Sequence, residues 1–330
     1  MQVAKPAVKS TERISSSRSQ TVVGRDHGDK PAPLKVRLWR YRWAYLLILP
    51  GFLYLVIFHY APLWGNIAAF QDFSPYRGYF RSPWIGLQNF SDVFTSPDIG
   101  YVIWNTVLLS LLQIIFAFPA AIVLALMLNS LLSQRFKRFM QSVLYLPHFL
   151  GWVIIVSIWQ QFFGGAGLIN QVIQALGGHT IDFITNSAFF RPMLVLQVMW
   201  KETGWGTIIF LAALSSIDLN LYEAAVIDGA SGWRRLWHIT LPGIRNVIII
   251  LLILRMGSIL DSGFEQIFLQ MQGVDLRVAQ TIDIFAYIRG IQGGQWGLTT
   301  ALGLVKTVVG TGLILLTNKA VKLLGEEGLF

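Results

Sequence analysis

Long runs without a single charge alternate along this chain with short segments rich in arginine and lysine. No Asp, Glu, Lys or Arg occurs at residues 43–71, 99–134 or 141–181. Each run exceeds the roughly 20 apolar residues that carry a helix across about 30 Å of hydrocarbon. The pattern predicts six membrane-spanning helices, at residues 43–60, 102–129, 142–163, 192–217, 246–260 and 295–318. The fourth is interrupted by Lys201 and Glu202, and the sixth by Lys306. The fifth is short and contains Arg255, so it needs neighbouring helices or a tilt of its polar end toward an interface. The expected fold class is therefore all-α and polytopic. Composition agrees, with 54% hydrophobic and 13% charged residues, where a soluble domain carries roughly 25% charge. Several such segments in succession leave too little polar surface for a soluble globular chain.

The charges orient the spans. With the N-terminus inside, Lys35, Arg37, Arg40 and Arg42 precede the first span. The other inner segments then carry Arg135, Lys137 and Arg138, then Arg234, Arg235 and Arg245, then Lys319 and Lys322. Outer segments hold only Arg77, Arg81, Arg191, Arg277 and Arg289. Lys and Arg favour cytoplasmic loops, so both termini are expected there, with an even number of crossings. Residues 1–34, polar and Ser-rich, read as a disordered cytoplasmic tail, residues 35–322 as the transmembrane domain and 323–330 as a second cytoplasmic tail. The formal net charge of +9 then draws the inner face toward anionic lipid. Basic and aromatic residues are not interleaved as nucleic-acid binding would ask, so no nucleic-acid partner is expected. Cysteine is absent, which removes disulfides, thiolate metal sites and thiol nucleophiles.

Two segments outside the spans are informative. The outer one, residues 61–101, is dense in aromatics, with Trp64, Phe70, Phe73, Tyr76, Tyr79, Phe80, Trp84, Phe90 and Phe94. Such rings favour the headgroup layer, and docking of a soluble partner is the alternative. The inner one, residues 218–245, predicts two short helices joined at a glycine. Asp218 or Asn220 caps the first, which places Glu223 in its first turn and ends near Gly229. The second starts after Ser231 and runs through Trp233, Leu236 and Trp237 toward Pro242. Ala224 and Ala225 let another protein approach the backbone closely, while Glu223 offers a charge to pair. A plain amphipathic surface loop is the alternative reading.

Glu223-Ala224-Ala225, then Gly229, then Ile239-Thr240-Leu241-Pro242 resembles the EAA loop of binding-protein-dependent ABC importer permeases. The resemblance covers residues 38–322. Leu-Ile-Leu-Pro-Gly at 47–51 and Tyr-Leu-Pro-His at 145–148 are similar to the carbohydrate type I branch, nearest to its alginate-oligosaccharide permeases. It implies a type I importer permease fold and one half of a translocation pore for oligosaccharides, acidic ones included. It also implies a second homologous permease, two ATPase subunits and an extracytoplasmic substrate-binding protein as partners. On this chain Glu223, Ala224, Ala225 and Gly229 would form the coupling helix that enters a groove on the ATPase. Asp228, Trp233 and Arg234 would adjoin that contact, and Leu241 and Pro242 would set the return into span five.

The sequence holds no phosphate-cradling G-x-x-x-x-G-K-[ST] loop. The chain is therefore not expected to be an enzyme or to bind a cofactor, and ATP with Mg²⁺ falls to the partner subunits. Ionisable groups at membrane depth are costly and face protein or a watery cavity. Lys201, Glu202, Arg255 and Lys306 are thus candidates for the substrate pathway, with structural ion pairs as the alternative for Lys201 and Glu202. Trp200, Trp205, Tyr287 and Trp296 are candidate stacking surfaces. His148, beside Pro147, reads as structural or interfacial, and the five histidines have no metal-ligand spacing. A secondary transporter, the reading from another class, would require an internal repeat with paired broken helices, and none is visible in the sequence.

Overall fold

The computed structural model describes residues 39–323 together with Gly325 and Gly328. The tail assigned to residues 1–34 lies outside the described residues, as do Lys35, Arg37 and most of 323–330. The chain divides into two compact units, residues 1–62 and 63–330. In its described part the first is helical, with α1 (Arg42–Leu55) passing into a π-helical turn at Val56–Tyr60. All its described residues are exposed. A helix that is apolar all round and buries none of its own surface requires an apolar surrounding.

The second unit is built from helices α2 (Gln88–Thr95), α3 (Ile99–Asn129), α4 (Gln134–Tyr145), α5 (Trp152–Phe163), α6 (Leu168–Ala175) and α7 (Ser187–Ser215), then α8 (Leu219–Ile227), α9 (Gly232–Arg235), α10 (Arg245–Gly257), α11 (Phe264–Phe268), α12 (Ile282–Ala286) and α13 (Trp296–Leu323). Among the described residues the one β-type pairing is an isolated bridge between Gln71 and Trp84. Four helices are long and apolar enough to cross a membrane: Arg42–Phe70, Ile99–Asn129, Trp152–Ala175 and Trp296–Leu323. Ser187–Ser215 with Leu219–Ile227, bent by 68°, and Gly232–Gly243 with Arg245–Gly257, bent by 57°, raise the number to six if each pair is one span. The chain is thus an all-α polytopic membrane protein.

The third expected span is corrected by the structure. The charge-free run continues through residues 142–163, but the long helix begins only at Trp152. Residues 142–145 belong to α4, a 3-10 turn follows at Leu146–Phe149, and Leu150 and Gly151 are extended. Pro147 has no N–H to continue the ladder, so the helix breaks there although the charge-free run continues. Elsewhere boundaries shift less. The Asn186 side chain accepts from the Ala188 N–H at 2.9 Å, so α7 starts before Pro192, and α10 ends at Gly257 rather than at 260.

The most extensive helix contact joins α3 to α7. Near one end of that contact Ala121, Ala125 and Leu128 bury against Phe210, Leu211, Leu214 and Ile244. Farther along, Leu109 meets Phe190, Leu194 and Ile267, and Val102 meets Ile259, Phe285 and Leu302. Small residues allow backbones to approach where membrane helices cross. At Gly204 a β-carbon would run into the main-chain oxygen of Leu144, so α4 rests directly on the α7 backbone there. Gly303 in α13 has nothing within 4 Å of that position. We expect Gly204→Ala to cost about 1–3 kcal/mol of stability through overpacking. Gly303→Ala should be neutral or stabilising by up to about 1 kcal/mol. Thermal unfolding of the two purified variants side by side checks the contrast.

Candidate functional site

The helix break at Pro147–Gly151 lies beside the middle of α7, and two neighbouring α7 residues close it. Lys201 Nζ donates to the carbonyl oxygens of His148 at 2.6 Å and Leu150 at 2.7 Å. The same ammonium lies 5.6 Å from the Trp152 ring centroid. Lys201 is buried, which is tolerable only because its donors meet carbonyls that the break has left free. Glu202 Oε2 accepts from His148 Nδ1 at 2.8 Å. The His148 ring in turn lies flat on Trp205, 4.4 Å between centroids and 3° between planes. His148 is thus held between Glu202 and Trp205, and Lys201 is engaged by carbonyls at shorter range than by its carboxylate neighbour, 3.9 Å away.

Beyond Trp205 opens a cavity of about 540 Å³ whose lining includes Gln113, Trp152, Glu202, Trp205, Arg255 and Gln266. That volume falls within the roughly 300–1,000 Å³ of small-molecule sites. Arg255, on α10, hydrogen-bonds Gln113 Oε1 across from α3. Gln266 is fully buried and donates to the Leu194 carbonyl and to Gln197 Oε1. Ser258 and Asp261 complete the polar part of the wall.

Of the predicted pathway residues, Glu202, Trp205 and Arg255 meet in this cavity, while Lys201 supports its wall from behind. Lys306 does not line it. It is bracketed by Asp261 at 2.5 Å and Asp283 at 2.6 Å and ties α13 to α12 and to the loop after α10. Tyr287 lines a separate open recess with Asp283, and Trp296 a smaller one with Asp72 and Asp92. Trp200 is partly exposed and lines none of these cavities. Sequence reasoning missed Gln113, Trp152, Ser258, Asp261 and Gln266. Gln113 stands as an amide inside an apolar run, but nothing in the sequence says what it faces, and Gln266 sits among other polar residues.

The hairpin at residues 218–245 forms as two capped helices. Asp218 Oδ1 accepts from the Asn220 N–H at 2.9 Å and starts α8. That cap makes Glu223 the fifth helical residue, a correction to its expected place in the first turn. The helix ends in a reciprocal pair of bonds, Ala230 N–H to the Ala225 carbonyl and Gly229 N–H to the Val226 carbonyl, with Gly229 at φ +71°. That left-handed residue is where only glycine is free of strain. Ser231 caps α9, Trp233 and Trp237 meet edge to face at 5.9 Å, and Tyr222 joins Thr240 at 2.9 Å. Glu223, Ala224, Asp228, Trp233 and Arg234 are exposed, Ala225 half-buried, and Leu241 packs at the hairpin base with Pro242 beside it.

Several long apolar helices around a largely apolar cavity with a few charged and amide groups, and a capped hairpin between two of them, fit a solute permease. Residues 117–324 match the family described as binding-protein-dependent transport system inner membrane component, and the chain belongs to it. It is 49% identical over 294 residues to Protein LplB of Bacillus subtilis, covering 89% of this chain and 92% of that one. It is 43% identical over 303 residues, covering 92% and 94%, to the polygalacturonan/rhamnogalacturonan transport system permease protein YteP of the same organism. A solved bacterial ABC transporter involved in the import of the acidic polysaccharide alginate contains a chain 35% identical, with TM-score 0.80 over 88% of this chain and 98% of that one. A second structure, of an alginate transporter with its pentasaccharide-bound periplasmic protein, matches at 34% identity and TM-score 0.81 over 90% and 99%. The chain is a transmembrane permease subunit of an ABC importer in the inner membrane.

Lys201→Met leaves two carbonyls without donors beside a long apolar helix. We expect it to destabilise the folded protein by about 2–4 kcal/mol. Hydrogen exchange should rise first at the amides of residues 148–152 while α3 and α13 stay protected.

Proposed function

We propose that this subunit forms half of the membrane pathway of an ATP-driven importer of oligosaccharides released from acidic polysaccharides. Six crossings with both termini cytoplasmic give the family's arrangement, each bent helix pair contributing one span. The domain runs over residues 35–322, and the aromatic segment 61–101 lies at the outer surface, where the binding protein delivers its load. A second permease completes the pore, and two ATPase subunits supply ATP hydrolysis with Mg²⁺. The substrates of the relatives, polygalacturonan or rhamnogalacturonan and alginate, support the acidic class. So does the cavity's equipment of aromatic faces and an arginine. Glu202, Trp205 and Arg255 are its pathway residues, with Lys201 and Lys306 holding the surrounding helices.

The observation that carries the coupling role is the hairpin itself. A carboxylate and two small residues stand on a short helix locked at both ends by its own caps, with most of its surface open to a partner. Glu223, Ala224, Ala225 and Gly229 present the contact, Asp228, Trp233 and Arg234 flank it, and Leu241 and Pro242 seat the return into α10. A rigid protrusion of this kind transmits displacement of an ATPase groove into α7 and α10.

Glu223→Lys reverses the charge on an exposed residue and leaves both caps in place. In the full importer reconstituted in vesicles, uptake is expected to fall about tenfold or more while the subunits still co-purify and hydrolyse ATP. Uptake equal to the parent protein removes the coupling role. Uptake that proceeds without ATP supports a secondary transporter instead.

A further inference from the structure

The ionisable groups in the long helices around the cavity differ in how their charges are met. Lys201 spends its donors on the His148 and Leu150 carbonyls. Lys306 lies between two carboxylates. Glu202 is engaged by His148, with Lys201 close by, and Asp261 by Lys306. Arg255 is different. Its hydrogen-bond partner is a neutral amide, Gln113, and no carboxylate comes within ion-pair distance of it among the described residues. It lines the cavity and stands on a helix whose other neighbouring side chains are apolar, Ile253, Leu254 and Met256. Glu202 and Asp261 line the same cavity but are engaged by other groups, and an intramembrane charge not met directly by a counterion is expensive and marks a group with room for one more partner.

A second feature of the same cavity concerns hydrogen bonding. Gln266 is fully buried and lines the wall, and its Oε1 has no hydrogen-bond partner among the described residues. A buried acceptor left open is costly in a folded protein. Trp152 and Trp205 line the same space, one face of Trp205 being covered by the His148 ring. A cation and two indoles on one cavity fit one ligand chemistry: a sugar ring that stacks and carries a carboxylate.

We propose that Arg255 is the specificity-determining residue of the pathway and receives the carboxylate of a uronate unit, with Gln113 holding the guanidinium in place between substrates. The inference rests on the transport reading above and names the group that separates acidic from neutral saccharides within it. Arginine suits the task because its planar fork matches a carboxylate with two parallel bonds.

The test compares trigalacturonate with its carboxyl-reduced neutral analogue, binding to the complete importer in lipid nanodiscs without the binding protein. The readout is the ratio of the two affinities. The parent protein is expected to favour the uronate, and Arg255→Gln to shrink that ratio by about tenfold to a hundredfold. Arg255→Lys should keep most of the preference. Gln113→Glu leaves the arginine in place but gives it a permanent counterion, and it should also shrink the ratio, so the test survives if Arg255→Gln fails to assemble. A ratio unchanged in both Arg255→Gln and Gln113→Glu overturns the assignment. Uptake in vesicles separates the two levels. ATP-driven uptake that is indifferent to both substitutions removes the role of Arg255 alone, whereas no ATP-driven uptake of either sugar by the parent complex removes the transport reading with it.

Discussion

Where a long apolar helix breaks, the carbonyl oxygens released by the break have no water to turn to, and something in the protein must donate to them. Here that donor is Lys201. Each charge-assisted bond of this kind contributes about 1.5–3 kcal/mol, set against several kcal/mol to desolvate the ammonium. The balance is near even as energy, and the gain lies in placement. Because Lys201 is held by the His148 and Leu150 carbonyls, the next residue, Glu202, is directed at the His148 ring. His148 then lies flat on Trp205. One structural cation thus fixes the polar and aromatic wall of the cavity. Gly204 lets α4 come close enough for the arrangement to form.

The cavity wall is close to neutral in formal charge, which follows from what a low-dielectric interior permits. Glu202 and Asp261 each have a basic partner, so neither repels an anion as a bare carboxylate would. Lys306 is doubly engaged and works as a cross-link between α13, α12 and the loop after α10. Most of the rest is apolar, with Phe118, Val198, Ile209, Phe210, Leu251 and Leu254 beside the two tryptophans. In the pathway proposed above, such a wall would offer few polar contacts and leave discrimination to a small number of groups.

Much of this was legible in the residues, and what was not has definite causes. The spans follow from charge-free runs, since every charge in hydrocarbon must be accounted for. The hairpin follows from the positions of Asp218, Gly229 and Ser231, whose capping chemistry is local. The break at Pro147 was missed because the charge-free run continues through it from residue 141 to 181. Glu223 fell outside the first turn because Asp218, not Asn220, took the cap, and two residues decide which turn a side chain occupies. The ion pairs of Lys306 were not legible because its partners Asp261 and Asp283 are remote from it in sequence. Tyr287 and Trp296, candidate stacking surfaces, line recesses other than the one that holds Arg255. Gln113 and Gln266 escaped notice because a neutral amide carries no pattern until its neighbours are known.

The same chain order that hides those contacts explains how the two ends of the molecule communicate. The hairpin lies between α7 and α10, the helices that carry Glu202 and Arg255. From Glu202 to the end of α7 at Ser215 is about 20 Å of helix, and from Arg245 to Arg255 about 15 Å. Both are continuous segments without an internal break. At their junction the backbone at Gly243 passes so close to Ile217 that a β-carbon would stand 2.8 Å from its side chain. Phe210, Leu211, Leu214 and Ile244 are buried in one cluster with α3 at that base. A close-packed base cannot absorb a push by deforming, because interiors at this density compress little. In the coupling proposed above, a force on the exposed face of α8 would therefore be passed to α7 and α10 as two stiff segments. Its physical basis would be this shared base, and α10 carries the guanidinium that bridges to α3.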